Sequence, residues 1–366
     1  MSRLDELIAE LCPNGVKQFK IADLTNYEQP SKYIVKSTDY NDSFETPVLT
    51  AGQTFILGYT NEIDGIYNAS KENPVIIFDD FTGALKWVDF SFKVKSSAMK
   101  LITANEKILI RYLYHVMSNI GLTSDEHKRL WISVYAEQTI PLPPLPVQEE
   151  IVRILDNFTE LTAELTAELT ARKKQYEYYR SKLLSISNDV PRVKLVDVAD
   201  ISRGVRVVKK QLMPNGLYPV YQNSLAPMGY YDKYNCDANT TYVISAGAAG
   251  EIGFCNKNFW AADDCLVFSN LNGVVNKYIY FFLLTKQDFI FSNVRKASIP
   301  RLSRTVIENL HIPLLSLEEQ QRIVAILDRF DALCNDIAYG LPAEIDARQK
   351  QYEYYRDKLL TFKELS

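Results

Sequence analysis

The sequence predicts a chain built from two copies of one mixed α/β unit, each followed by a long helical tail. The first observation is an internal repeat, because Lys174–Leu184 (KQYEYYRSKLL) matches Lys350–Leu360 (KQYEYYRDKLL) in ten of eleven residues. The second is a repeat just upstream, Ile140–Phe158 (IPLPPLPVQEEIVRILDNF) and Ile312–Phe330 (IPLLSLEEQQRIVAILDRF). Two repeated blocks in the same order are the sequence signature of a duplicated structural unit.

The repeated tails are predicted to be helices. In the first tail, Gln148 to Leu184 contains neither Pro nor Gly, and apolar residues recur every three or four positions. That spacing lines one stripe of a helix about 56 Å long, at ~1.5 Å per residue. In the second tail the same stripe is interrupted at Gly340-Leu341-Pro342, where one helix should end and another begin with Pro342 in its first turn. Helices of this length favour a coiled-coil arm. Two similar domains on two similar helices imply a pseudo-two-fold molecule if the helices pack antiparallel.

The two tails differ by four residues between their repeated blocks. The first tail fills this stretch with tandem TAEL quartets, Thr162–Leu169, and each quartet adds about one helical turn. Two interpretations stay open: a low-complexity filler of the helix, or a spacer whose length matters.

The regions before the tails hold most of the Gly, Pro, Asn and β-branched residues and are predicted to be α/β (α+β) domains. Pro74–Phe78 and Thr241–Ile244 are predicted strands, and Asn105–Met117 and Lys277–Thr285 are predicted short helices. The resulting boundaries are residues 1–146 for the first variable domain, 147–186 for the first helix, 187–313 for the second variable domain and 314–366 for the second helix.

Charge is distributed unevenly along the chain. The net charge is −4, but residues 187–313 carry 14 basic and 10 acidic side chains, whereas residues 1–146 carry 14 and 18. Basic clusters flanked by amide and aromatic side chains are typical of nucleic-acid contacts, because Arg and amide groups read base edges. Such clusters are also common on ordinary solvated surfaces, so both interpretations stay open.

Several classes of protein are disfavoured by what the sequence lacks. There is no GxxxxGK[ST] loop, no dinucleotide-binding GxGxxG after a strand, and no NPPY-like motif of an amino-methyltransferase. The five cysteines form no CxxC pair, which argues against a zinc site and a disulfide framework. The glycines of Ser245–Gly253 suit a turn or a bulge better than a phosphate cradle. The acidic N-terminus does not resemble a signal peptide, and no apolar run is long enough to span a bilayer, so a cytoplasmic location is expected.

The repeated blocks and their order resemble the specificity (S) subunits of type I restriction–modification enzymes. The duplicated pattern covers nearly the whole chain, and the TAEL quartets are similar to those of the IC subclass. In the second variable domain, YPVYQN, GYYDKY and NFWAADD resemble frequent features of the target-recognition domains of this family. One departure, PVQEE in the first tail where the second has LEEQQ, leaves the start of the first helix open.

The resemblance implies a non-catalytic chain in which each target-recognition domain reads one half of a bipartite, asymmetric double-stranded DNA target. The two helices would set the separation of the half-sites and dock two modification (M) methyltransferase subunits, which use S-adenosylmethionine to methylate adenine N6. Restriction (R) subunits would add ATP-dependent translocation and cleavage. No cofactor and no metal in this chain, and no membrane partner, are implied.

Candidate site residues are taken from the basic, amide and aromatic positions. For DNA contact we predict Lys32, Lys36, Trp87 and Arg129 in the first domain, and Arg203, Arg206, Gln222, Asn223, Arg301 and Arg304 in the second. For helix packing or partner docking, with both roles open, we predict Phe158, Tyr176, Tyr179, Phe330, Tyr352 and Tyr355.

Two rival functions remain at this point. One is a single-chain nuclease or methyltransferase that would use the carboxylate pairs Asp79-Asp80 and Asp263-Asp264, although turn or cap roles suit these pairs better. The other is a coiled-coil adaptor with no DNA role.

Overall fold

The computed structural model describes residues 2–52, 54–121, 129–185, 190–336 and 339–365. The chain divides into two units, which we call unit 1 (Met1–Glu164 and Ile345–Ser366) and unit 2 (Leu165–Glu344). The first tail therefore contributes to both units, and the second tail returns the chain to unit 1.

Unit 1 holds nine strands and three short helices within its described residues, besides its share of the tails. Its strands are β1 (Gln18–Lys20), β2 (Thr25–Glu28), β3 (Thr46–Leu49), β4 (Ile56–Thr60), β5 (Val75–Asp79), β6 (Leu85–Val88), β7 (Lys93–Val94), β8 (Met99–Ala104) and β9 (Thr139–Pro141). Its short helices are α1 (Arg3–Leu11), α2 (Ile21–Leu24) and α3 (Ile110–Ile120), with a 3-10 turn at Pro30–Tyr33 and a π-helical turn at Trp131–Tyr135.

Three sheets organise these strands. The order β2-β8-β5-β6 forms an antiparallel sheet, the order β4-β3-β7 forms a mixed one, and β1 pairs with β9. The predicted strand at Pro74–Phe78 is confirmed as the central strand β5, whose four apolar residues Val75 to Phe78 have no solvent exposure. Complete burial of each such side chain contributes roughly 1.5–3 kcal/mol, so β5 anchors the unit.

The chain then enters its long helix and repeats the pattern. After α4 (Leu145–Leu184), unit 2 forms β10 (Arg192–Lys194), α5 (Leu195–Val198), β11 (Asp200–Arg203), β12 (Tyr218–Tyr221), β13 (Gly229–Tyr231), β14 (Thr240–Ile244), β15 (Ile252–Cys255), β16 (Trp260–Ala261), β17 (Cys265–Ser269), α6 (Asn276–Thr285), α7 (Gln287–Ser292), α8 (Arg304–Glu308) and β18 (His311–Pro313). The second tail forms α9 (Leu317–Asn335) and α10 (Leu341–Leu359).

Strand for strand, unit 2 has the topology of unit 1. Its sheets are β11-β17-β14-β15, β13-β12-β16 and β10-β18, which are the orders of unit 1 shifted by nine strands. The parallel pair recurs as well, since β3 pairs with β7 as β12 pairs with β16. The duplication predicted from the tails therefore extends through the variable domains, and the mixed α/β class is confirmed.

The tail helices agree closely with the prediction. Helix α4 covers the whole stretch from Gln148 to Leu184 and begins three residues earlier. It starts at Leu145 and α9 starts at Leu317, which is the same repeat position, so the PVQEE variant does not move the helix start. The second tail breaks as predicted: α9 ends at Asn335, and α10 begins at Leu341 with Pro342 in its first turn.

One predicted helix begins at the wrong residue. We expected a helix from Asn105, but α3 begins at Ile110. The Asn105 side chain accepts a hydrogen bond from the backbone N–H of Lys107 (3.0 Å) and donates one to the carbonyl of Asp23 (2.9 Å), which holds a turn in place of a helix. In unit 2 the predicted helix at Lys277–Thr285 is confirmed within one residue as α6.

Candidate nucleic-acid interface

In unit 2 the turn between β14 and β15 joins two of the predicted DNA-contact segments. The backbone N–H of Ala248 donates to the carbonyl of Asn223 (2.9 Å), and that of Gly247 donates to the carbonyl of Pro300 (3.1 Å). The N–H of Leu302 donates to the carbonyl of Ser245 (2.8 Å). The residues flanking Arg301 are therefore bonded to the same turn as Asn223, and this brings Gln222, Asn223 and Arg301 into one neighbourhood.

Gly247 is required at the centre of this turn. Its φ of +85° lies in the left-handed region, and a Cβ at this position would meet both Cβ and the carbonyl oxygen of Asn223 at 2.8 Å. Of the predicted turn or bulge, the glycine-containing stretch thus forms a turn, and it lets two of the predicted DNA-contact segments approach one another.

Arg203 and Arg206 reach the same region from the other side of the segment 261–265. The N–H of Gly204 donates to the carbonyl of Cys265 (3.0 Å), and the N–H of Ala262 donates to the carbonyl of Tyr221 (2.9 Å). Segments 203–206 and 221–223 therefore flank one stretch of backbone, and both arginines are exposed. We call the surface formed by Arg203, Arg206, Gln222, Asn223 and Arg301 the unit 2 face.

Arg304 lies at the start of α8 and is partly neutralised. Its guanidinium forms an ion pair with Glu308 at 2.9 Å, one helical turn later, and about half of its side chain is exposed. Arg304 is close to Arg301 in sequence but is committed to its own helix.

Unit 1 repeats the arrangement around Arg129. The N–H of Leu130 donates to the carbonyl of Asp80 at 2.8 Å, which matches the bond between Leu302 and Ser245. Asp80 and Ser245 both directly follow the central strand of their sheet, β5 or β14. Arg129 and Arg301, each one residue before the donor, are therefore equivalent, and both are exposed.

A buried ion pair lies beneath Arg129, and sequence reasoning missed it. Lys100 Nζ lies 3.3 Å from Asp80 Oδ2, both side chains are about 5% exposed or less, and the Gln29 amide oxygen accepts a further bond from Lys100. Asp80 Oδ1 accepts the backbone N–H of Trp131 at 2.9 Å. The available signal was a lysine inside the apolar strand Met99–Ala104, since buried lysines need a partner.

Gln29 is the unit 1 counterpart of Arg203. The central strands end at Asp79 and at Ile244, so these two residues are equivalent and the residues paired with each strand can be matched from them. Glu28 lies opposite Leu101 and Ser202 lies opposite Val267, at matched positions. Gln29 and Arg203 are each the next residue along the chain. The positions around Arg129 and around Arg301 thus share a backbone frame but differ in the side chains they offer.

Lys32 and Lys36 lie in the loop that follows β2, and the described contacts do not join either to Arg129. Lys32 forms an ion pair with Glu28 at 2.7 Å, and the hydrogen bond to this carboxylate raises the pKa of Lys32 above its ordinary value. The backbone N–H of Lys36 donates to Glu62 at 2.8 Å while its side chain is exposed.

No described contact joins Trp87 to Arg129. It lies in β6, half-buried, with the Arg111 guanidinium 4.6 Å from its ring centre and the Tyr114 ring packed edge-on at 5.8 Å. The structure gives it a packing role beside the long helix.

Three of the four paired carboxylates, those of Asp79, Asp80 and Asp264, have structural partners, whereas Asp263 Oδ1 is buried without a hydrogen-bond partner in the described part of the chain. Asp79 accepts the N–H groups of Phe81 (2.9 Å) and Thr82 (3.1 Å), a turn arrangement, while Asp80 pairs with Lys100. The Asp264 carbonyl accepts the N–H of Ser245 at 2.7 Å, and its carboxylate lies 3.5 Å from the Gln222 amide nitrogen. Within the described residues no group of three His, Cys, Asp or Glu side chains could hold a metal ion.

The predicted tail aromatics pack between helices. In unit 1 Phe158 of α4 stacks on Tyr355 of α10, with ring centres 5.5 Å apart, and Tyr352 is half-buried. In unit 2 Phe330 of α9 stacks on Tyr179 (5.5 Å) and lies 6.3 Å from Tyr176. Burial raises the pKa of Tyr176, as expected for a phenol inside a helix interface.

The neighbouring tyrosines point outward, and sequence reasoning did not select them. Tyr178 is 58% exposed and Tyr354 is 63% exposed, and each packs edge-on against the next tyrosine of its own helix. They stand at the same position of the repeated block KQYEYYR. Their exposure leaves the same aromatic group available on both helices.

Within the part of the chain that the structure describes, no helix is long and apolar enough to cross a bilayer.

Comparison with known proteins gives a consistent set of similarities. Residues 13–172 and 188–347 each match the family described as type I restriction modification DNA specificity domain. The chain is 41% identical to the type I restriction enzyme EcoR124I/EcoR124II specificity subunit of Escherichia coli, over 99% of this chain and 97% of that protein. It is 34% identical to a putative type I restriction enzyme specificity subunit of Haemophilus influenzae, over 85% and 86% of the two chains.

Solved structures show the same fold. A crystal structure of the S subunit of a type I restriction–modification system from M. genitalium superposes with a TM-score of 0.70, at 15% identity, over 94% of this chain and 96% of that one. A chain from a structural study of complex assembly and conformational transition in a type I restriction–modification system gives 0.53 at 16% identity, over 95% and 98%.

Proposed function

Because the chain belongs to the type I restriction–modification DNA specificity subunits, we propose that its two faces built around Arg129 and Arg301 are the surfaces that contact DNA. As a member of this family the chain is the DNA-recognition subunit and not a catalytic one. The observation that carries the assignment of residues is the equivalence of the two arginines, held by matching backbone bonds of 2.8 Å in units of identical topology. Residues 1–146 and 187–313 are proposed as the two recognition domains, each reading one half-site.

The two faces offer different chemistry to DNA. The unit 2 face presents Arg203, whose guanidinium can donate to base edges in the major groove, and Gln222 and Asn223, whose amides can both donate and accept there. In unit 1 the counterpart of Arg203 is Gln29, which is bonded to Lys100. Equivalent frames with different side chains support an asymmetric, bipartite target.

The tail helices are proposed to dock two copies of one partner. Tyr178 and Tyr354 present the same exposed aromatic group at the same repeat position, and equal surfaces favour equal partners. We assign this partner as the methyltransferase (M) subunit, which would carry S-adenosylmethionine, with the restriction (R) subunit and its ATP chemistry added in the larger complex. A cytoplasmic location, where the DNA lies, is part of the same proposal.

We also propose that the first helix acts as a ruler. The TAEL quartets lie within α4, with Leu165 and Leu169 half-buried and the intervening Thr, Ala and Glu exposed. An uninterrupted helix through this stretch supports the spacer interpretation, because extra quartets extend it without a change in fold.

DNA binding of the purified chain, with and without the methyltransferase subunit, tests the assignment of faces. Salt-dependent binding that weakens when Arg129 and Arg301 are replaced is the expected result. If the combined Arg129→Ala and Arg301→Ala variant binds DNA with unchanged affinity and unchanged salt dependence, the assignment of these faces is wrong.

A further inference from the structure

Unit 1 contains a cation held between an aromatic ring of the sheet and a carboxylate of the long helix. Arg111 projects from α3, its guanidinium lies 4.6 Å from the ring centre of Trp87 on β6, and its Nε donates to Asp156 Oδ1 on α4 at 2.8 Å. The Tyr114 ring lies 5.1 Å from the same guanidinium. Three elements of the unit thus meet at one charged side chain that is 24% exposed.

Unit 2 contains the same arrangement built from different residues. Lys277 projects from α6, its ammonium lies 4.8 Å from the ring centre of Phe254 on β15, and it forms a 2.7 Å ion pair with Asp328 on α9. The Tyr280 ring packs against Phe254 at 5.7 Å, as Tyr114 packs against Trp87. We call each set of cation, ring and carboxylate a clamp.

Independent hydrogen bonds show that the clamps occupy equivalent positions. Before each short helix, the backbone N–H of Leu109 donates to Gln148 of α4, and that of Val275 donates to Gln320 of α9, both at 2.8 Å. Both glutamines are fully buried. One residue after each cation, the hydroxyl of Tyr112 donates to the Pro141 carbonyl and that of Tyr278 to the Pro313 carbonyl, both at 3.1 Å.

Packing alone does not account for this pattern. Arg in one unit is replaced by Lys in the other, and Trp by Phe, yet a positive charge lies between a ring and a helix carboxylate in both. A ring face and a carboxylate both attract a cation, and the combination is directional because the cation must satisfy two fixed partners. Gln148 and Asp156 are eight residues apart on α4, and Gln320 and Asp328 are eight residues apart on α9. The glutamine bond and the clamp together therefore fix each short helix at two points.

We propose that Arg111 and Lys277 are positioning residues that fix each recognition domain on its tail helix, α4 or α9, and thereby set how strictly the complex selects the spacing between half-sites. This inference rests on the proposed function of the two recognition domains and of α4 as the ruler of the spacer. Each cation is more than two-thirds buried and committed to its ring and carboxylate, so neither contacts the bases. Loosening a clamp leaves the base-reading side chains intact and lets the domain turn on its helix.

Methylome sequencing of cells that carry the chain with its methyltransferase subunit tests this inference. In Arg111→Ala or Lys277→Ala, methylation at sites whose spacer is one base pair longer or shorter should rise about tenfold relative to the preferred spacer, the factor expected for losing one cation–π contact and one ion pair. The bases of both half-sites should stay unchanged. Arg111→Lys and Lys277→Arg, which exchange the clamp cations between units, should retain the strict spacer.

The long helices supply matched controls. Arg153 pairs with Glu150 within α4 and Arg322 pairs with Glu319 within α9, each at 2.6 Å. Glu150 also lies 4.0 Å from Arg3 of α1, but neither pair involves the short helix of its clamp, α3 or α6. Arg153→Ala and Arg322→Ala should therefore leave spacer selection unchanged. Asp156→Asn, which keeps the shape of the carboxylate and removes its charge, serves as a second variant if Arg111→Ala does not fold.

Three outcomes would overturn the proposal: a strict spacer in Arg111→Ala, Lys277→Ala and Asp156→Asn, a change of half-site bases in these variants, or a relaxed spacer in the control variants. These results differ from failure of the proposed function, in which the unmodified chain itself directs methylation to targets without two half-sites.

Discussion

Arg129 and Arg301 hold the same position in the two halves of the chain. The residue after each arginine donates its backbone N–H at 2.8 Å to the carbonyl of the residue that directly follows the central strand, β5 or β14. The support beneath them differs. In unit 1 the residue after the strand is Asp80, paired with buried Lys100, whereas in unit 2 it is Ser245, whose hydroxyl donates to the Asp264 carbonyl at 2.9 Å. One frame is thus stabilised by charge in one half and by neutral hydrogen bonds in the other.

Replacing either arginine should weaken DNA binding in a salt-dependent way. If Arg129 contacts a phosphate, Arg129→Ala lowers the slope of log affinity against log salt by about 0.9 on duplex DNA, and Arg301→Ala does the same. If either reads a base, its loss costs roughly 1–3 kcal/mol and relaxes one position of the target. Fluorescence anisotropy across a salt series measures both effects.

Arg322→Ala is the control for this experiment, because Arg322 is also exposed but pairs with Glu319 on α9. An identical loss of affinity in the control variant would show that overall charge, and not the recognition face, sets the affinity.

Breaking the buried pair in unit 1 should destabilise the protein. Lys100→Leu or Asp80→Ser alone leaves an uncompensated buried charge and should lower the free energy of unfolding by about 3–5 kcal/mol. Lys100→Leu with Asp80→Ser copies the residues that unit 2 has at these positions, Leu266 and Ser245, and should recover most of the loss. Urea unfolding measures the three variants, and a double variant less stable than both single variants would contradict this expectation.

The carboxylate of Asp156 should make unit 1 sensitive to acid. Burial disfavours its ionisation, but hydrogen bonds from His115 and Arg111 outweigh burial and lower the pKa of Asp156 below its ordinary value. A depressed pKa in the folded state adds stability above the unfolded pKa, near 3.9 for Asp, and that stability is lost as the pH falls through the folded value.

His115→Phe tests the sign of this effect. Unit 2 has Phe281 where unit 1 has His115, so the fold accommodates the ring. Without the histidine, the pKa of Asp156 rises toward its ordinary value, so this carboxylate adds less stability above its unfolded pKa. The less stable variant should therefore begin to unfold at a higher pH when it is acidified. The control is His311→Ala, which changes an exposed histidine on β18 and should leave the pH at which acid unfolding begins unchanged. Acid unfolding of His115→Phe that begins at a lower pH than in the unmodified chain would contradict the prediction.

The exposed tyrosines should determine how many methyltransferase subunits bind. Tyr178→Ala or Tyr354→Ala should each reduce the complex from two methyltransferase copies toward one, because an aromatic anchor of an interface is often a hot spot. The variant that combines both substitutions should bind neither methyltransferase copy tightly. Native mass spectrometry reads the stoichiometry directly. Two tightly bound copies on the combined variant would exclude these tyrosines as anchors.

The TAEL stretch should act as a ruler. One more quartet after Leu169 lengthens α4 by about 6 Å and turns the rest of the helix by roughly 40° beyond a full turn. One base pair of B-DNA turns about 34–36°, and a base-reading face must point into the groove, so we expect rotation to decide. The preferred spacer should change by one base pair with both half-sites unchanged, and an unchanged spacer in the methylome would identify the quartets as filler.

Much of the fold could be predicted because both tails repeat the same two blocks in the same order. The helix break follows from Gly340-Leu341-Pro342, and the equivalence of Arg129 with Arg301 follows from the offset of 172 residues between the upstream blocks. The clamps do not, because Arg111 and Lys277 are 166 residues apart while Asp156 and Asp328 are 172 apart. Loops of different length shift the register between the halves, so this equivalence is visible only from the hydrogen bonds and strand pairings of the folded chain.

The candidate site was predicted only in part for a similar reason. Basic and amide residues mark the unit 2 face, but Gln29 and Lys100 gain their roles from contacts across 71 residues of chain. Trp87 was selected because aromatic residues suit DNA contacts, yet its ring packs against Arg111 beside the long helix. Sequence spacing predicts which face of one element a side chain occupies, but not which distant element covers it.

The most direct test of the central claim, that each half of the chain reads its own half-site, is methylome sequencing of Arg129→Ala and Arg301→Ala beside the unmodified chain in the presence of its methyltransferase subunit. We expect a bipartite target whose bases relax in one half for Arg129→Ala and in the other half for Arg301→Ala, with the spacer unchanged. Relaxation of the same half-site by both variants would contradict the claim.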